Sequence, residues 1–406
     1  MEKGIEQKLK SNLRKMLVMT ARIGTPRILV AAIGATLAVT LVLYLDSVTP
    51  KKDDHSGNVN QDRIVFSGII NSTTHQIFIV NPDGTGLKNL TSADDDSWHF
   101  DPVPSPDGSK VAYETWDNFP NAPRGSRIIQ NLYVVKTDGT DRIRLTPSEG
   151  IVMSSKFSWS PDSTKIAYES SEDIYLVNAD GTNALRLTSD RKPYPEGMRT
   201  DNYNPFWLSN NNIIFASVTF NGTKSLTGGF REISADGTGL KTLFVDPDYQ
   251  DRGGYVWSND GESIAILQLH DFNLAGLYVM NASGKNERLL VDSSRFYSIS
   301  DLSWSPDDSM ISFVGIERLG PEEAPPSGGI YVVKVNDGTF RRLPGTQTLS
   351  TAPVWSSDAT KIAFMSTIGE EAIVINVIDV NSNEKNEVTR IKQSIVNQPL
   401  NWISGP

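Results

Sequence analysis

The chain contains no cysteine, which excludes disulfides and thiolate metal sites. That absence does not fix a compartment, because an exported protein need not use disulfides. Histidine is scarce too, with four in 406 residues: His55, His75, His99 and His270. So few do not supply a multi-histidine metal centre. No G-x-S-x-G elbow, P-loop or H-E-x-x-H occurs. The expectation is therefore no catalytic constellation, no metal and no cofactor. After residue 45 no long apolar run occurs.

Charge is unevenly spread. Residues 1–27 hold seven basic side chains (Lys3, Lys8, Lys10, Arg14, Lys15, Arg22, Arg27) against Glu2 and Glu6, a surplus of +5. Ile28 to Leu45 is uncharged, and the whole chain carries −10, so the part after residue 45 carries −15. An acidic body argues against nucleic acid, whose phosphates need Lys and Arg. The run of 18 apolar residues from Ile28 to Leu45 spans roughly 27 Å as a helix, near the thickness of a hydrocarbon core. Basic residues before it keep the amino terminus inside and send the bulk outward. Asp46-Ser47-Val48-Thr49-Pro50 lacks a small-x-small cleavage site, which favours an uncleaved anchor over a signal peptide. Residues 1–27 read as a basic cytoplasmic tail, 28–45 as a transmembrane signal-anchor, 46–61 as a polar tether and 62–406 as one repeat domain.

Two phrases repeat along that domain. The first is a Trp-Ser-Pro-Asp-like turn followed by a short apolar strand. Its copies start at Pro104, Trp159, Trp207, Trp257, Trp304, Trp355 and Trp402. The second is an apolar strand, an Asp-Gly-Thr turn and a strand ending in Leu-Thr, as in LYVVKTDGTDRIRLT (132–146). The Trp-type positions lie 55, 48, 50, 47, 51 and 47 residues apart. A fixed period of this size signals propeller blades. Each unit reads as strands a to d: a ends at Trp-Ser-Pro-Asp, b is the KIAYE type, c the IYVVN type, and d follows the Asp-Gly hairpin turn. The seven strand-a phrases and seven c–d phrases are out of phase. The domain enters at strand b (Arg63-Ile64-Val65-Phe66) and its last phrase is a strand a at Trp402. The expectation is an all-β, seven-bladed propeller of four-stranded antiparallel blades, preceded by one transmembrane helix and closed by a join of three strands with one.

These phrases resemble the WD-like repeats of the TolB family over residues 62–406. The resemblance implies a periplasmic propeller that docks onto partners. This chain departs from it in blade number, since the TolB propeller has six, and it has no counterpart of the TolB amino-terminal domain. Propellers of the prolyl oligopeptidase group look similar but sit beside a hydrolase domain, for which no sequence remains here.

The a–b and c–d turns are uniformly tight, whereas the b–c and d–a connections are long and varied: 115–130, 218–229 and 315–329, and 92–100, 189–203 and 245–254. Repeat proteins gather insertions on the face that binds, so the b–c/d–a face is the expected working face. The tether meets strand b at the tight-turn face, which places that face toward the membrane. Loop-face candidates are Trp98, His99, Phe100, Trp116, Phe119, Tyr194 and Tyr203, with Tyr249, Phe272 and Tyr297 beside them. Exposed rings suit protein or carbohydrate recognition, and packing within their own loops is the alternative. Asp94-Asp95-Asp96 reads as a solvated loop, since it lacks calcium-loop spacing. Three residues before each Trp-type position, at the start of strand a, stand Asp101, Lys156, Asn204, Gly254, Asp301, Ala352 and Pro399. Of these, Asp101, Lys156, Asn204 and Asp301 are candidates for a channel-mouth binding site; channel hydration is the bland alternative.

Two functions follow. One is a non-catalytic protein- or glycan-binding scaffold, anchored at the cell surface or in the periplasm. The other is an extracellular polysaccharide hydrolase or lyase with channel-mouth carboxylates such as Asp101 and Asp301 as acid and base, which requires a separation of roughly 5–10 Å.

Overall fold

The repeated phrases fold as seven antiparallel sheets of four strands each. In the computed structural model the described residues are 62–70, 74–91, 97–117, 129–146, 156–189, 198–249, 252–270, 273–318, 328–346, 350–368, 372–392 and 400–403. The expected tail, membrane helix and tether lie outside them, as do Asp94-Asp95-Asp96, Phe119, Tyr194, Phe272 and Pro399. Among the described residues no helix is long and apolar enough to cross a membrane.

Blades 1 to 6 occupy 98–144, 157–186, 198–246, 252–292, 296–342 and 350–392. The closing blade takes strands b, c and d from 63–89 and strand a from Leu400–Ile403. Its join is a four-residue antiparallel ladder from Arg63↔Ile403 to Phe66↔Leu400. Asn401 Nδ2 donates across it to the Pro102 carbonyl of blade 1 at 2.6 Å.

Alternation along each strand explains why the sheets stack. In strand b of blade 1, Val111 and Tyr113 turn toward the closing blade, while Ala112 turns toward blade 2. Each hydrophobic cluster therefore draws on two successive blades. Seven such clusters occur, one per gap, the last joining Phe364-side neighbours Ala363 and Met365 of blade 6 to Ile64, Phe66 and Leu400 of the closing blade. An open stack of seven sheets has only six gaps, so the ring is closed.

The recurring polar residues serve the turns and the seams. In the a–b turn, the Ser hydroxyl donates to the Asp two residues on at 2.6 Å in five blades: Ser105, Ser160, Ser258, Ser305 and Ser356. In the c–d turn, the Asp accepts the backbone N–H of the following Thr, as Asp138 does from Thr140 at 2.9 Å. The central Gly takes positive φ, +76° at Gly139. The Trp indole donates to strand a of the preceding blade: Trp159 to Val103 and Trp304 to Val256 at 3.0 Å, and Trp355 to Ser303 at 3.1 Å. The Thr of Leu-Thr accepts a strand-c N–H at 3.0–3.2 Å for Thr91, Thr146 and Thr188, and Thr346 of Leu343-Pro344-Gly345-Thr346 does the same at 3.1 Å.

Several expected loops are shorter than their sequences suggest. The segment 218–229 is a correction: it belongs to strands Asn212–Asn221 and Lys224–Ser234, which run on to a tight turn at Gly222. Strand a begins early as well, at Trp98, Met198 and Arg252, which takes residues from three expected d–a loops. His75 lies in strand c of the closing blade, Thr74–Val80, paired with Ile69 of strand b.

Candidate functional site

Strand a is the innermost strand of every sheet, and in four blades it carries the same irregularity. In blade 1 the pairing steps from Phe100↔Glu114 to Val103↔Ala112, so strand a holds one extra residue. The same step occurs at Tyr203/Phe206, Ser300/Ser303 and Thr351/Val354. The first extra residue is Asp101, Asn204, Asp301 or Ala352, each with φ between 49° and 52°. These are four of the positions three before the Trp. They sit at bulges within strand a rather than at its beginning, which corrects the expectation from sequence. Among the described positions, only Lys156, just before Phe157–Trp159, precedes its strand. A left-handed φ costs an L-residue about 1–2 kcal/mol, and bulges of this kind re-aim a side chain out of the pleat.

Neighbouring blades meet at these bulges. Asp301 Oδ2 accepts the Ala352 N–H of the next blade at 3.4 Å. The Asn204 N–H donates to Glu169 Oε2 of the preceding blade at 3.4 Å, and its side-chain amide donates to the Tyr255 hydroxyl at 3.2 Å. Asp301 is open to solvent, yet the protein wall around it pushes its carboxyl up, against the pull of the Ala352 N–H. Asp101 is also raised by burial, with Lys156 opposing. The shift of Asp101 is set by burial and Lys156, and that of Asp301 by burial and the Ala352 N–H.

Asp101 also faces two acids that sequence reasoning passed over. Glu114 and Glu169 are the last residues of the KVAYE and KIAYE phrases, inside strands Lys110–Asp117 and Lys165–Ser170, and are 1% and 4% exposed. Burial raises the Glu114 carboxyl to about 8; Asp101 and Glu169 add to the rise and Lys156 opposes it. At neutral pH Glu114 therefore keeps its proton. Its Oε1 has no hydrogen-bond partner among the described residues. The signal was present: a Glu at a position filled in later copies by Ala216, Leu267, Val314 and Met365.

The aromatic candidates behave differently. His99 and Phe100 are buried, and Trp98 and Trp116 are half-buried. Trp98 packs on His75 at 4.5 Å, and Phe100 lies between His75 at 4.9 Å and Trp116 at 4.8 Å. His99 stacks by Tyr113 at 5.3 Å, and its carbonyl accepts from Ser67. These rings wedge the closing blade against blade 1; His99 and Phe100 are not exposed as the loop-face reading expects, whereas Trp98 and Trp116 keep part of their surface open. Burial, with His99 adding, lowers the His75 imidazole to about 4, so it stays neutral. Tyr203 is half-buried and its hydroxyl donates to Asp201 at 2.9 Å. Among the described candidates, the ring that does face solvent is Tyr297, 73% exposed. Among the described residues, no three His, Asp or Glu side chains gather as a metal site.

No family model matches the chain, and no curated protein does. Solved structures do. An oligogalacturonate lyase in complex with manganese is 14% identical over 82% of this chain and 86% of that chain, with a TM-score of 0.58. An oligogalacturonate lyase from Vibrio parahaemolyticus is 13% identical over 83% and 87%, with a TM-score of 0.56. TolB from Acinetobacter baumannii is 15% identical over 84% and 66%, with a TM-score of 0.44. At these identities the likeness to the lyases shows the fold.

Proposed function

We propose that this chain is a membrane-anchored, extracytoplasmic propeller that binds a protein or a glycan on its b–c/d–a face without transforming it. The observation that carries this reading is the contrast between the two faces. On the tight-turn face, blade after blade repeats the same Ser–Asp and Asp–Thr hydrogen bonds, which occupy the polar atoms internally. On the other face the connections differ in length from blade to blade, strands of blade 3 run on to Gly222, and Tyr297 stands open. Variation on one side of a uniform scaffold is how repeat proteins acquire partners. The charge of −15 beyond residue 45 favours a protein or carbohydrate over nucleic acid. The basic residues before Ile28 favour an internal amino terminus with the propeller outside and its tight turns toward the membrane.

The test is capture of envelope components and glycans by the full chain in detergent. Two variants are compared, one with 118–128 replaced by a short turn and one with Asp138-Gly139 replaced by Asn-Gly. Binding lost only in the first supports the reading. Binding that survives loop replacement and fails with the turn overturns it.

A second reading, cleavage of an extracellular polysaccharide, is favoured by one observation: a carboxyl held protonated near neutrality beside a second carboxyl, Glu114 with Asp101. Glu114 is 1% exposed, which bars a polymer from touching it. Turnover of a polysaccharide that disappears in Asp101→Asn would reinstate the enzymatic reading.

A further inference from the structure

We propose that the inner strand of blade 5 binds a short neutral saccharide, which stacks on Tyr297 at the mouth of the channel and gives hydroxyls to Asp301 deeper in. The proposal deepens the binding reading and rests on it for the working face, in that it names a glycan as the ligand there.

Strand a of blade 5, Phe296–Trp304, is the least regular inner strand described. Its pairing with Met310–Glu317 slips twice, between Phe296 and Ser298 and between Ser300 and Ser303. The inner strands of blades 1, 3, 4 and 6 slip once each. The first slip sets Tyr297 out of the ladder, and the second holds Asp301 in the left-handed region at φ 51°. Bulges re-aim side chains, and here the result is exposure. Tyr297 is 73% exposed, and Ser300 and Asp301 are exposed as well. In the inner strand of blade 1, Trp98–Pro104, no residue is exposed. Strand a starts on the b–c/d–a face, so Tyr297, second in its strand, stands at the mouth. At about 3.3–3.4 Å per residue, the four steps from Tyr297 to Asp301 cover roughly 13 Å, enough for more than one sugar ring.

Room around Asp301 comes from its neighbours. Three residues before the Trp, blade 4 carries Gly254 and blade 6 carries Ala352. They have the smallest side chains of that rank, where blades 1 to 3 carry Asp101, Lys156 and Asn204. A Cβ added at Gly254 meets nothing within 4 Å, so the wall of blade 4 is open at that rank. The Ala352 N–H donates to Asp301 Oδ2 at 3.4 Å, while Oδ1 accepts nothing among the described residues.

The mixture of groups selects the ligand. A protein hot spot is an aromatic anchor packed among contacts that exclude water. Among the described residues Tyr297 is the one large hydrophobic side chain exposed on an inner strand; the others stand on strands c and d or in the turns between them. Its companions are the Ser300 hydroxyl and the Asp301 carboxyl. A sugar uses such a set: an aromatic face for its C–H groups and a few polar atoms for its hydroxyls. A carboxyl oxygen accepts a hydroxyl whether ionised or not. The ligand is neutral because Asp301 and the charge of −15 beyond residue 45 disfavour a uronic or sialic acid.

The experiment is calorimetric titration of the full chain, in a detergent without a sugar head group, with cellobiose, maltose, lactose and N,N′-diacetylchitobiose in turn. At least one is expected to bind, one per chain. For that disaccharide Tyr297→Ala is expected to weaken binding about tenfold, and Tyr297→Phe, which keeps the ring, less than about threefold. Asp301→Ala is expected to weaken it about fivefold. That variant has a precedent in the fold, since Ala352 holds the same bulge in blade 6 at φ 52°, and an unchanged thermal midpoint checks it. Leu289→Ala, exposed on strand d of blade 4, is expected to leave binding unchanged. Binding of none of the disaccharides, equal binding in Tyr297→Ala, or binding of sialyllactose in place of the neutral sugars would each overturn the proposal. So would capture of an envelope protein that is lost in Tyr297→Ala and indifferent to the disaccharides, which makes the ring a protein anchor. Capture that depends on 118–128 without disaccharide binding removes the sugar and keeps the working face. Disaccharide binding without loop-dependent capture does the reverse, so the two failures are distinguishable.

Discussion

Glu114 stands mid-strand in Lys110–Asp117, and the residues before it, Val111, Ala112 and Tyr113, are fully buried. Its folded pKa of about 8 lies above the ordinary 4.5. Between those values the folded chain keeps a proton that the unfolded chain has released, so stability falls as pH rises from about 4.5 to about 8 and levels off beyond. One proton gives a limiting slope of about 1.4 kcal/mol per pH unit. Urea midpoints measured from pH 5 to 8 should show this decline in the native chain and a flatter profile in Glu114→Gln; parallel profiles would refute the assignment. A second residue-scale contrast concerns two turn glycines. An added Cβ at Gly139 (φ +76°) meets nothing closer than 3.6 Å, whereas at Gly84 (φ +85°) it meets the Val388 carbonyl at 2.3 Å. Gly139→Ala should cost about 1–2 kcal/mol from φ alone, and Gly84→Ala clearly more, as read by denaturant unfolding. These glycines were legible in the sequence because Asp-Gly-Thr recurs. Glu114 and Glu169 were legible only by comparing the copies, where later blades carry Ala216, Leu267, Val314 and Met365, and their burial was not, because it is a property of the neighbouring blade.

At the scale of the element, the outer strand d is the weakest part of most blades. In blade 2 it is two residues, Leu185–Arg186. What fastens it is Thr188, which accepts the Ile174 N–H at 3.0 Å and donates to Asp173 at 2.9 Å. Thr188→Val leaves a buried N–H without its acceptor and should destabilise by about 1–3 kcal/mol, whereas Thr188→Ser should recover most of it. Equal unfolding midpoints for the Val and Ser variants would show that the hydroxyl does not fasten the strand. The Trp indole is the corresponding fastener between blades: Trp304→Phe removes the bond to Val256 and should cost about 1 kcal/mol. Strand identity was legible from the phrases, and strand ends were not. Asn221-Gly222 resembled a loop within 218–229, yet Asn-Gly is also a hairpin turn, and pairing with both flanks settles which applies. Trp98 and Phe100 resembled loop aromatics for the same reason: they lie before the Trp-Ser-Pro-Asp phrase, where a strand had already begun.

For the molecule as a whole, seven blades and the three-plus-one join were legible because the two phrases run out of phase from Arg63 to Trp402. The bulges were visible only as a list of positions, since backbone conformation at Asp101, Asn204, Asp301 and Ala352 has no shared residue type to announce it. The ring depends on the short ladder of Leu400–Ile403 against strand b of the closing blade. A chain ending at residue 399 should lose cooperative unfolding and associate through the bared strand edge, seen as larger species in size-exclusion chromatography; a monomer with an unchanged melting profile would show that the join is dispensable. That ladder also sets a clock. Arg63 leaves the ribosome some 340 residues before Ile403, its partner. At about 5–20 residues per second the wait is roughly 20–70 s. Throughout synthesis the closing blade lacks its inner strand, so a nascent chain cannot lock into its final form, and it stays threadable until the last pairing segment has emerged.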